Sequence, residues 1–306
     1  MSDEGLVYVA GHKGLVGSAL VRRLRAEHGD RLLTMDRSEL DLTEQDSVND
    51  FFAQYRPSQV YLAAARVGGI KDNNDHPADF IRQNLLIQTH VIDAAWRHGA
   101  RKLLFLGSSC IYPKMAPQPL RPEYLLSGPL EPTNQAYAIA KIAGIEMCRS
   151  YRRQYGFDAI CAMPTNLYGP GDRFDPENSH VIPALIYKFA EAKRTGSDEV
   201  VIWGSGQPLR EFLYVDDLAD ACAFLMRTYS GDSIVNVGSG IETRIADLAK
   251  LIADVVGFDG RLTFDSRYPD GTPRKLLDSS YLASVGWQAA TALREGVEKT
   301  WWSYQR

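Results

Sequence analysis

The sequence is poor in cysteine, and its cysteines are not arranged in pairs. The chain of 306 residues contains four of them, with no paired spacing and no CxxC motif. We therefore predict neither a disulfide framework nor a metal site, and we expect thiols in a reducing cytoplasm. The four are Cys110, Cys148, Cys161 and Cys222.

Long apolar runs and a strong charge of one sign are also missing. No run reaches membrane-spanning length, and the acidic start at residues 1–5 is not typical of a signal peptide. A net charge of −4 argues against a general nucleic-acid binder. The hydrophobic fraction of 45% can supply a large core, so we expect a soluble cytoplasmic enzyme of one or two domains with no nucleic-acid or membrane partner.

A glycine-rich turn near the N-terminus indicates a dinucleotide site. A short apolar strand at 6–10 precedes Gly11-His12-Lys13-Gly14-Leu15-Val16-Gly17, and residues 18–25 then show apolar side chains at helical spacing. Glycines let the backbone approach a pyrophosphate, and the helix N-terminus favours its charge. The spacing is GxxGxxG rather than the commoner GxGxxG. The alternative is a tight turn that binds nothing.

Strands and helices alternate through the first half of the chain, which predicts an α/β fold. We expect a Rossmann-like, doubly wound parallel sheet with a smaller C-terminal substrate-binding lobe. The predicted cofactor domain covers 1–165 and about 211–238, and the predicted lobe covers 166–210 and 239–306. Two segments rich in turn residues, 112–132 and 164–179, are too long for simple connectors and are predicted to be active-site loops. The predicted elements are strands at 32–35, 59–64, 102–106 and 159–163 and helices at 44–55, 80–98 and up to 154.

Tyr137 and Lys141 lie four residues apart on one face of a predicted helix. A phenol has a pKa of about 10, and a neighbouring ammonium favours the phenolate, which brings the pKa of Tyr137 toward neutrality. Ser108 is expected to share the phenol's hydrogen-bond site with a substrate oxygen. This group is suited to proton exchange with a carbonyl while a nicotinamide transfers hydride. The YxxxK pattern alone is weak, because one chance match in such a chain is plausible.

The choice of cofactor depends on the end of the second predicted strand. Asp36 stands where an acid commonly holds the ribose 2′-hydroxyl of NAD. Arg37 and Lys13 can instead bind the 2′-phosphate of NADP. We favour NADP(H), and Asp41 is a candidate for contact with adenine.

Several long strings, in order along the chain, resemble one family. The chain resembles an extended short-chain dehydrogenase/reductase and, more closely, the GDP-L-fucose synthases. That family epimerises C3 and C5 of GDP-4-keto-6-deoxy-D-mannose and reduces C4 with NADPH. The resemblance covers residues 6 to about 300, with matching strings at 11–14, 62–70, 107–113, 164–170, 178–185, 210–213 and 269–275.

The resemblance implies roles for individual residues. Cys110 would be the base and His180 the acid of the epimerisations, and both side-chain types have suitable pKa values. Ser108 and Cys110 are expected to point the same way from an extended segment. In the reduction Tyr137 would protonate O4, which Ser108 orients, and Lys141 would tune Tyr137 and bind the nicotinamide ribose. The alternative interpretations are a small buried cysteine and a histidine that caps its own helix.

The same resemblance implies two sets of binding residues. Lys188 and Arg210 would contact the pyrophosphate of a GDP-sugar, with Trp203 and Asp270 at the remaining substrate positions. The residues implied for the cofactor are Gly11, His12, Lys13, Gly14, Leu15, Val16, Gly17, Arg37, Asp41, Leu42, Leu106, Gly107, Ser109, Lys141, Pro164, Thr165, Asn166, Leu167 and His180.

Assembly and the exact substrate are open to further interpretation. The helix from Tyr137 to Cys148 is apolar on nearly every side, which predicts a homodimer. A related GDP-sugar epimerase/reductase, acting on a 3,6-dideoxy or heptose analogue, could share nearly all these motifs. An NAD-dependent nucleotide-sugar 4-epimerase needs no acid-base pair for C3 and C5, so Cys110 and His180 argue against it. A catalytically inactive binding scaffold is disfavoured because Ser108, Tyr137 and Lys141 are all present.

Overall fold

A parallel sheet of six strands forms the centre of the computed structural model, which describes residues 5–175, 179–268 and 270–306. Asn178 and Pro269, which open two of the matching strings, lie outside the described residues. In chain order the strands are β1 (Val7–Ala10), β2 (Leu32–Leu33), β3 (Gln59–Leu62), β4 (Lys102–Leu106), β5 (Asp158–Pro164), β6 (Asn166–Tyr168), β7 (Glu199–Trp203), β8 (Leu209–Tyr214), β9 (Val235–Val237), β10 (Glu242–Arg244), β11 (Arg261–Asp265) and β12 (Arg274–Lys275). The α-helices are α1 (Leu15–His28), α2 (Gln45–Tyr55), α3 (Ile70–Asp75), α4 (Pro77–Arg97), α5 (Gln135–Tyr155), α6 (Val181–Thr195), α7 (Val215–Thr228), α8 (Ile245–Val256), α9 (Ser280–Ser284) and α10 (Leu293–Tyr304).

The large sheet has the order β2-β1-β3-β4-β5-β9, and each neighbouring pair is parallel. Its strands are short apolar runs buried on both faces, as helices cover both sides of a parallel sheet. The strand order reverses between β1 and β3, and ligands of such sheets bind beyond the carboxyl ends of the strands at that point. The predicted doubly wound sheet is confirmed.

Two helical layers enclose the sheet. On one side α1 and α7 pack together, and on the other α2, α4 and α5 share one core with the sheet. Gln88 of α4 is buried and donates to the carbonyl of Ala140 in α5 at 2.7 Å. Helix α5 ends at Gly156, whose φ of 70° allows the left-handed turn that stops a helix. This packing fixes α5 beside the end of β4.

The second lobe is built on β8. This strand pairs with β10, β12 and β6, and the parallel pair β7–β11 lies apart from that sheet. Helices α6, α8 and α10 supply the core of the lobe. Within the predicted segment 211–238, α7 packs on α1 and β9 pairs with β5, whereas the start of the segment belongs to β8. Only the later part of this segment therefore returns to the large sheet.

A buried carboxylate and a backbone bridge join the lobes. Glu211 is fully buried and accepts hydrogen bonds from the backbone N–H groups of Gly240 and Leu277, at 2.7 and 3.0 Å. Leu120, in the proline-rich segment, forms a parallel bridge with Leu277 and donates to the carbonyl of Leu276 at 2.7 Å. The segment 112–132 is thus pinned to the strand β12 region of the second lobe.

Element boundaries differ from the predictions at several ends. Strand β2 has two residues instead of the four predicted at 32–35, and β3 stops at Leu62 rather than at 64. Helix α4 starts at Pro77 instead of 80, because proline suits the first turn of a helix. In the described part of the chain, no helix has the length and apolar character needed to cross a membrane.

Candidate active site

The turn between β1 and α1 leaves no room for a side chain at Gly11 or Gly17. Gly11 has a φ of 84°, and a Cβ there would lie 2.7 Å from the backbone of Ala64. A Cβ on Gly17 would lie 2.0 Å from the carbonyl oxygen of Gly11. Among the described residues no side chain caps the first N–H groups of α1, which begins after Gly14. Open N–H groups at a helix N-terminus fit an anionic pyrophosphate, so this turn fits a dinucleotide.

The charged residues predicted at the adenosine end form two paired groups. The carboxylate of Asp36 accepts from Lys13 Nζ at 2.5 Å and lies 3.1 Å from His12 Nε2. The hydrogen bond from Lys13 lowers the pKa of Asp36. Arg37 donates to Asp41 at 3.2 Å, so each predicted phosphate-binding cation has a carboxylate partner in this structure.

Lys141 is buried where α5 meets the end of β4. Its Nζ donates to the carbonyl oxygen of Leu106 at 2.8 Å and lies 4.8 Å from the ring centre of Phe105. The same nitrogen is 5.8 Å from the ring centre of Tyr137. Burial lowers the pKa of Lys141 to about 8. The lysine is therefore a buried cation beneath the phenol, not a solvated one.

Tyr137 is half-buried at the start of α5, and the Ser108 side chain lies near its phenol. Burial raises the pKa of Tyr137, and the nearby Cys110 adds to this effect, while the Ser108 hydroxyl opposes it. The prediction of a lowered phenol pKa is wrong for this structure, because desolvation outweighs the stabilisation of the phenolate. A protonated phenol is the form that can donate a proton.

Cys110 lies where three separate segments meet. Its sulfur accepts from Asn134 Nδ2 at 3.3 Å and from Lys275 Nζ at 3.7 Å. Asn134 precedes α5, and Lys275 belongs to β12. The predicted extended segment is a 3₁₀ turn instead, in which the Ser108 hydroxyl accepts from the Cys110 backbone N–H at 3.3 Å. This turn nevertheless packs against α5, and Asn134, at the start of that helix, contacts the Cys110 sulfur.

His180 stands directly before α6. The side chain reaches solvent, yet the protein around it desolvates the ring, which lowers the pKa of His180, and the charge of Lys275 lowers it further. In the described part of the chain the imidazole makes no capping bond to its own helix. Lys275 therefore acts electrostatically on both of the groups predicted to carry out epimerisation.

The four predicted substrate residues lie in the second lobe. Lys188 Nζ is 4.5 Å from the ring centre of Trp203, which also stacks on Tyr268 at 4.5 Å. Arg210 donates to the backbone oxygen of Asp270 at 3.4 Å. Desolvation lowers the pKa values of Lys188 and Arg210, and neither forms an ion pair within the described ranges. Such cations fit an anionic ligand.

The remaining predicted cofactor residues gather at strand ends. The carbonyl oxygen of Glu211 accepts from Thr165 Oγ1 at 3.2 Å and from Asn166 Nδ2 at 2.8 Å. Pro164 ends β5, and Leu167 lies in β6. The others lie at the start of α1, after β2 or at the end of β4, namely Leu15, Val16, Leu42, Leu106, Gly107 and Ser109.

Two contacts of the Cys110 sulfur were missed by reasoning from the sequence. Asn134 and Lys275 were given no role, although Lys275 lies in one of the matching strings. Residues 110 and 275 are far apart in the chain, and no local pattern shows that they meet. The pairing of β12 with β8 and the bridge between Leu120 and Leu277 bring them together.

Comparisons with known proteins agree with this geometry. The model of the NAD dependent epimerase/dehydratase family matches residues 7–238. A putative GDP-L-fucose synthase 2 from Arabidopsis thaliana is 61% identical over 98% of this chain and 92% of its own length. A GDP-mannoheptose C4 reductase from Campylobacter jejuni, solved with NADP bound, has a TM-score of 0.90 at 35% identity and covers 100% of both chains. A GDP-L-fucose synthetase from Naegleria fowleri bound to NADP has a TM-score of 0.91 at 26% identity over 100% of this chain and 95% of its own.

Proposed function

Because the chain belongs to the NAD dependent epimerase/dehydratase family, and within it to the GDP-L-fucose synthases, we propose that it makes GDP-L-fucose. The substrate is GDP-4-keto-6-deoxy-D-mannose, which is epimerised at C3 and C5 and then reduced at C4 with NADPH. The observation that carries this proposal is the contact of the Cys110 sulfur with Asn134, at 3.3 Å, because Asn134 stands at the start of the helix that carries Tyr137. One 4-keto sugar can reach a proton donor for O4 and a thiol for its neighbouring carbons.

Reduction depends on the Tyr137 group. NADPH supplies the hydride for C4 when it is bound. Tyr137 gives its proton to O4, and the Ser108 hydroxyl orients that oxygen. The raised pKa of Tyr137 keeps the phenol protonated at neutral pH, as this step requires. Lys141, with a pKa of about 8, is mostly cationic at pH 7 and stabilises the phenolate that remains.

Epimerisation depends on Cys110 and His180. The 4-keto group makes the C3 and C5 protons acidic, so the Cys110 thiolate can take a proton and leave an enolate. His180 returns a proton on the opposite face. Its pKa is lowered in the free protein, and the negative charges of the bound diphosphate and enolate favour its protonated form.

The cofactor and the GDP-sugar are held by residues from different parts of the chain. The glycine loop and the ends of β4 and β5 hold the dinucleotide, within a cofactor domain of 1–165 and about 211–238 whose residues 211–214 are part of β8. Lys188 and Arg210 hold the pyrophosphate of the GDP-sugar, beside Trp203 and Asp270. The absence of carboxylate partners for these two cations, within the described residues, supports that assignment.

A direct assay tests the reaction and its stereochemistry. The protein is mixed with GDP-4-keto-6-deoxy-D-mannose and NADPH, absorbance loss is followed at the nicotinamide band, and the product is identified by NMR. We expect stoichiometric NADPH consumption and an L-galacto product. A product reduced at C4 with the original C3 and C5 configurations would contradict the epimerase half. Turnover without net NADPH loss would indicate a 4-epimerase instead.

A related substrate is the second candidate. The likeness to a heptose reductase from Campylobacter jejuni favours testing the GDP-4-keto-heptose in the same assay. A higher kcat/KM for the heptose would reassign the substrate while leaving the chemistry unchanged.

The functional unit is proposed to be a cytoplasmic homodimer formed through α4 and α5. These helices pack side by side, and Ile139 on α5 is 40% exposed although it is apolar. The rings of Trp96 and Tyr155 stack at 4.0 Å on the same helical pair. Light scattering after gel filtration should give twice the chain mass of 34.1 kDa, and Ile139→Glu should shift the protein toward the monomer.

A further inference from the structure

The ammonium of Lys275 lies 3.7 Å from the sulfur of Cys110, and its charge also acts on His180. We propose that Lys275 is a positioning residue for epimerisation, which stabilises the thiolate of Cys110 and has no part in hydride transfer. This inference rests on the proposed function, because it assumes that Cys110 is the base.

The charges around Cys110 single out Lys275. Among the described residues the neighbouring cations are already neutralised, since Lys114 lies 3.7 Å from Glu131 and Arg274 lies 2.6 Å from Glu242. Lys275 forms no ion pair within the described ranges. Its ammonium therefore has the sulfur as its nearest potential anion.

The backbone on both sides of Lys275 is held firmly. Lys275 pairs with Arg210 of β8. The next two backbone N–H groups donate to Gln118 Oε1 at 2.9 Å and to Glu211 Oε2 at 3.0 Å. The backbone that carries Lys275 is therefore fixed relative to Cys110, so the side chain starts from a defined position from which its ammonium reaches the sulfur.

Lys275 acts on the step in which one proton moves from the sugar to the Cys110 sulfur. The Cys110 thiolate takes a proton from C3 or C5, the S–H bond forms as the C–H bond breaks, and the electron pair moves to O4 of the enolate. Before transfer the sulfur carries the charge, which Lys275 and the Asn134 amide stabilise by hydrogen bonds. Among the described residues, Lys275 is the cation that lies within hydrogen-bond distance of this sulfur.

Alkylation measures this coupling without substrate. Cys148, Cys161 and Cys222 are buried, so iodoacetamide should report on Cys110. Thiolates, not thiols, are alkylated. In Lys275→Met the rate at pH 7 should fall about tenfold or more, because a charge-assisted hydrogen bond is lost. The pH midpoint of alkylation should rise. Lys275→Arg should restore most of the rate, and Arg274→Gln, on the same strand, is the matched control.

Two further measurements separate the possible failures. In D₂O, Lys275→Met should slow deuterium entry at C3 and C5 by a similar factor, while NADPH reduction of the ketosugar continues. The NMR titration of His180 should move to higher pH, because Lys275 lowers the pKa of His180 in the wild type. An alkylation profile of Lys275→Met equal to that of the wild type would overturn the inference. An absence of deuterium entry with the wild type would instead refute the epimerase function itself.

Discussion

The Tyr137 group and the Cys110 group are supported by the fold in different ways. Tyr137 and Lys141 come from one helix that is packed on the large sheet, and Ser108 follows the adjacent strand. The Cys110 sulfur is contacted from the start of α5 and from β12 in the second lobe. The group proposed for reduction thus depends on local packing, whereas the group proposed for epimerisation depends on how well the two lobes are joined.

The largest expected effect is the loss of C4 reduction when Tyr137 is replaced. Tyr137→Phe removes the proposed proton donor, and losing one general acid should lower reduction by about 10²–10⁴. Deuterium exchange at C3 and C5 should persist, because Cys110 and His180 stay in place. NADPH oxidation and NMR in D₂O measure the two halves separately. Wild-type NADPH turnover would exclude the role given to Tyr137.

The second expected effect is the loss of epimerisation when Cys110 or His180 is replaced. Cys110→Ser replaces a thiol with a hydroxyl that barely ionises near pH 7, so epimerisation should fall by about 10². NMR of the products should show GDP-6-deoxy-D-hexoses, because C4 reduction remains. His180→Gln should also stop inversion, while some deuterium still enters from the face of Cys110. If both variants make GDP-L-fucose at wild-type rates, the two-face mechanism is wrong.

A third expected effect is a change in the preference for NADPH over NADH when the charged residues near the adenosine end are replaced. Lys13→Ala with Arg37→Ala should weaken NADPH binding tenfold or more and NADH binding much less, because charge-assisted hydrogen bonds contribute about 1.5–3 kcal/mol each. Asp36→Asn should act in the opposite direction, since Asp36 holds Lys13 at 2.5 Å and repels a phosphate. Calorimetric binding of both cofactors measures this. Equal losses for NADPH and NADH would refute the assignment of the two cations.

The smallest effect concerns stability on the Tyr137 side. Burial shifts the pKa of Lys141 from 10.5 to about 8, and this difference corresponds to about 3 kcal/mol. Since the folded pKa is lower than the unfolded one, stability rises with pH between about 8 and 10.5, and the full cost is present below pH 8. Lys141→Met should remove this pH dependence.

At pH 7 the same variant should gain about 1–2 kcal/mol in the free energy of unfolding, because losing the bond to Leu106 offsets part of the relief. Urea unfolding at pH 7 and pH 9 measures both effects. The exposed Lys250 supplies a matched control in Lys250→Met. A destabilised Lys141→Met protein would show that the lysine contributes to the fold itself.

Features set by local patterns could be predicted from the sequence, whereas features set by long-range packing could not. The parallel sheet, the glycine loop and the Tyr137–Lys141 pair depend on patterns within a few residues, and the structure contains all three. The raised pKa of Tyr137 could not be predicted, because desolvation depends on the packing around the phenol. The contact between Cys110 and Lys275 could not be predicted either, because it depends on strand pairing over long range.

The bridge between Leu120 and Leu277 has a consequence for the order in which the protein is built on the ribosome. Strands β1, β3, β4 and β5 can pair as they emerge, because their partners are near in sequence. The segment around Leu120 must wait for residues 276–278 before it can dock. A nascent chain that has passed residue 238 therefore contains all six strands of the large sheet, while its Cys110 sulfur still lacks the contact with Lys275. The surroundings of Cys110 should thus be completed later than the Tyr137–Lys141 pair.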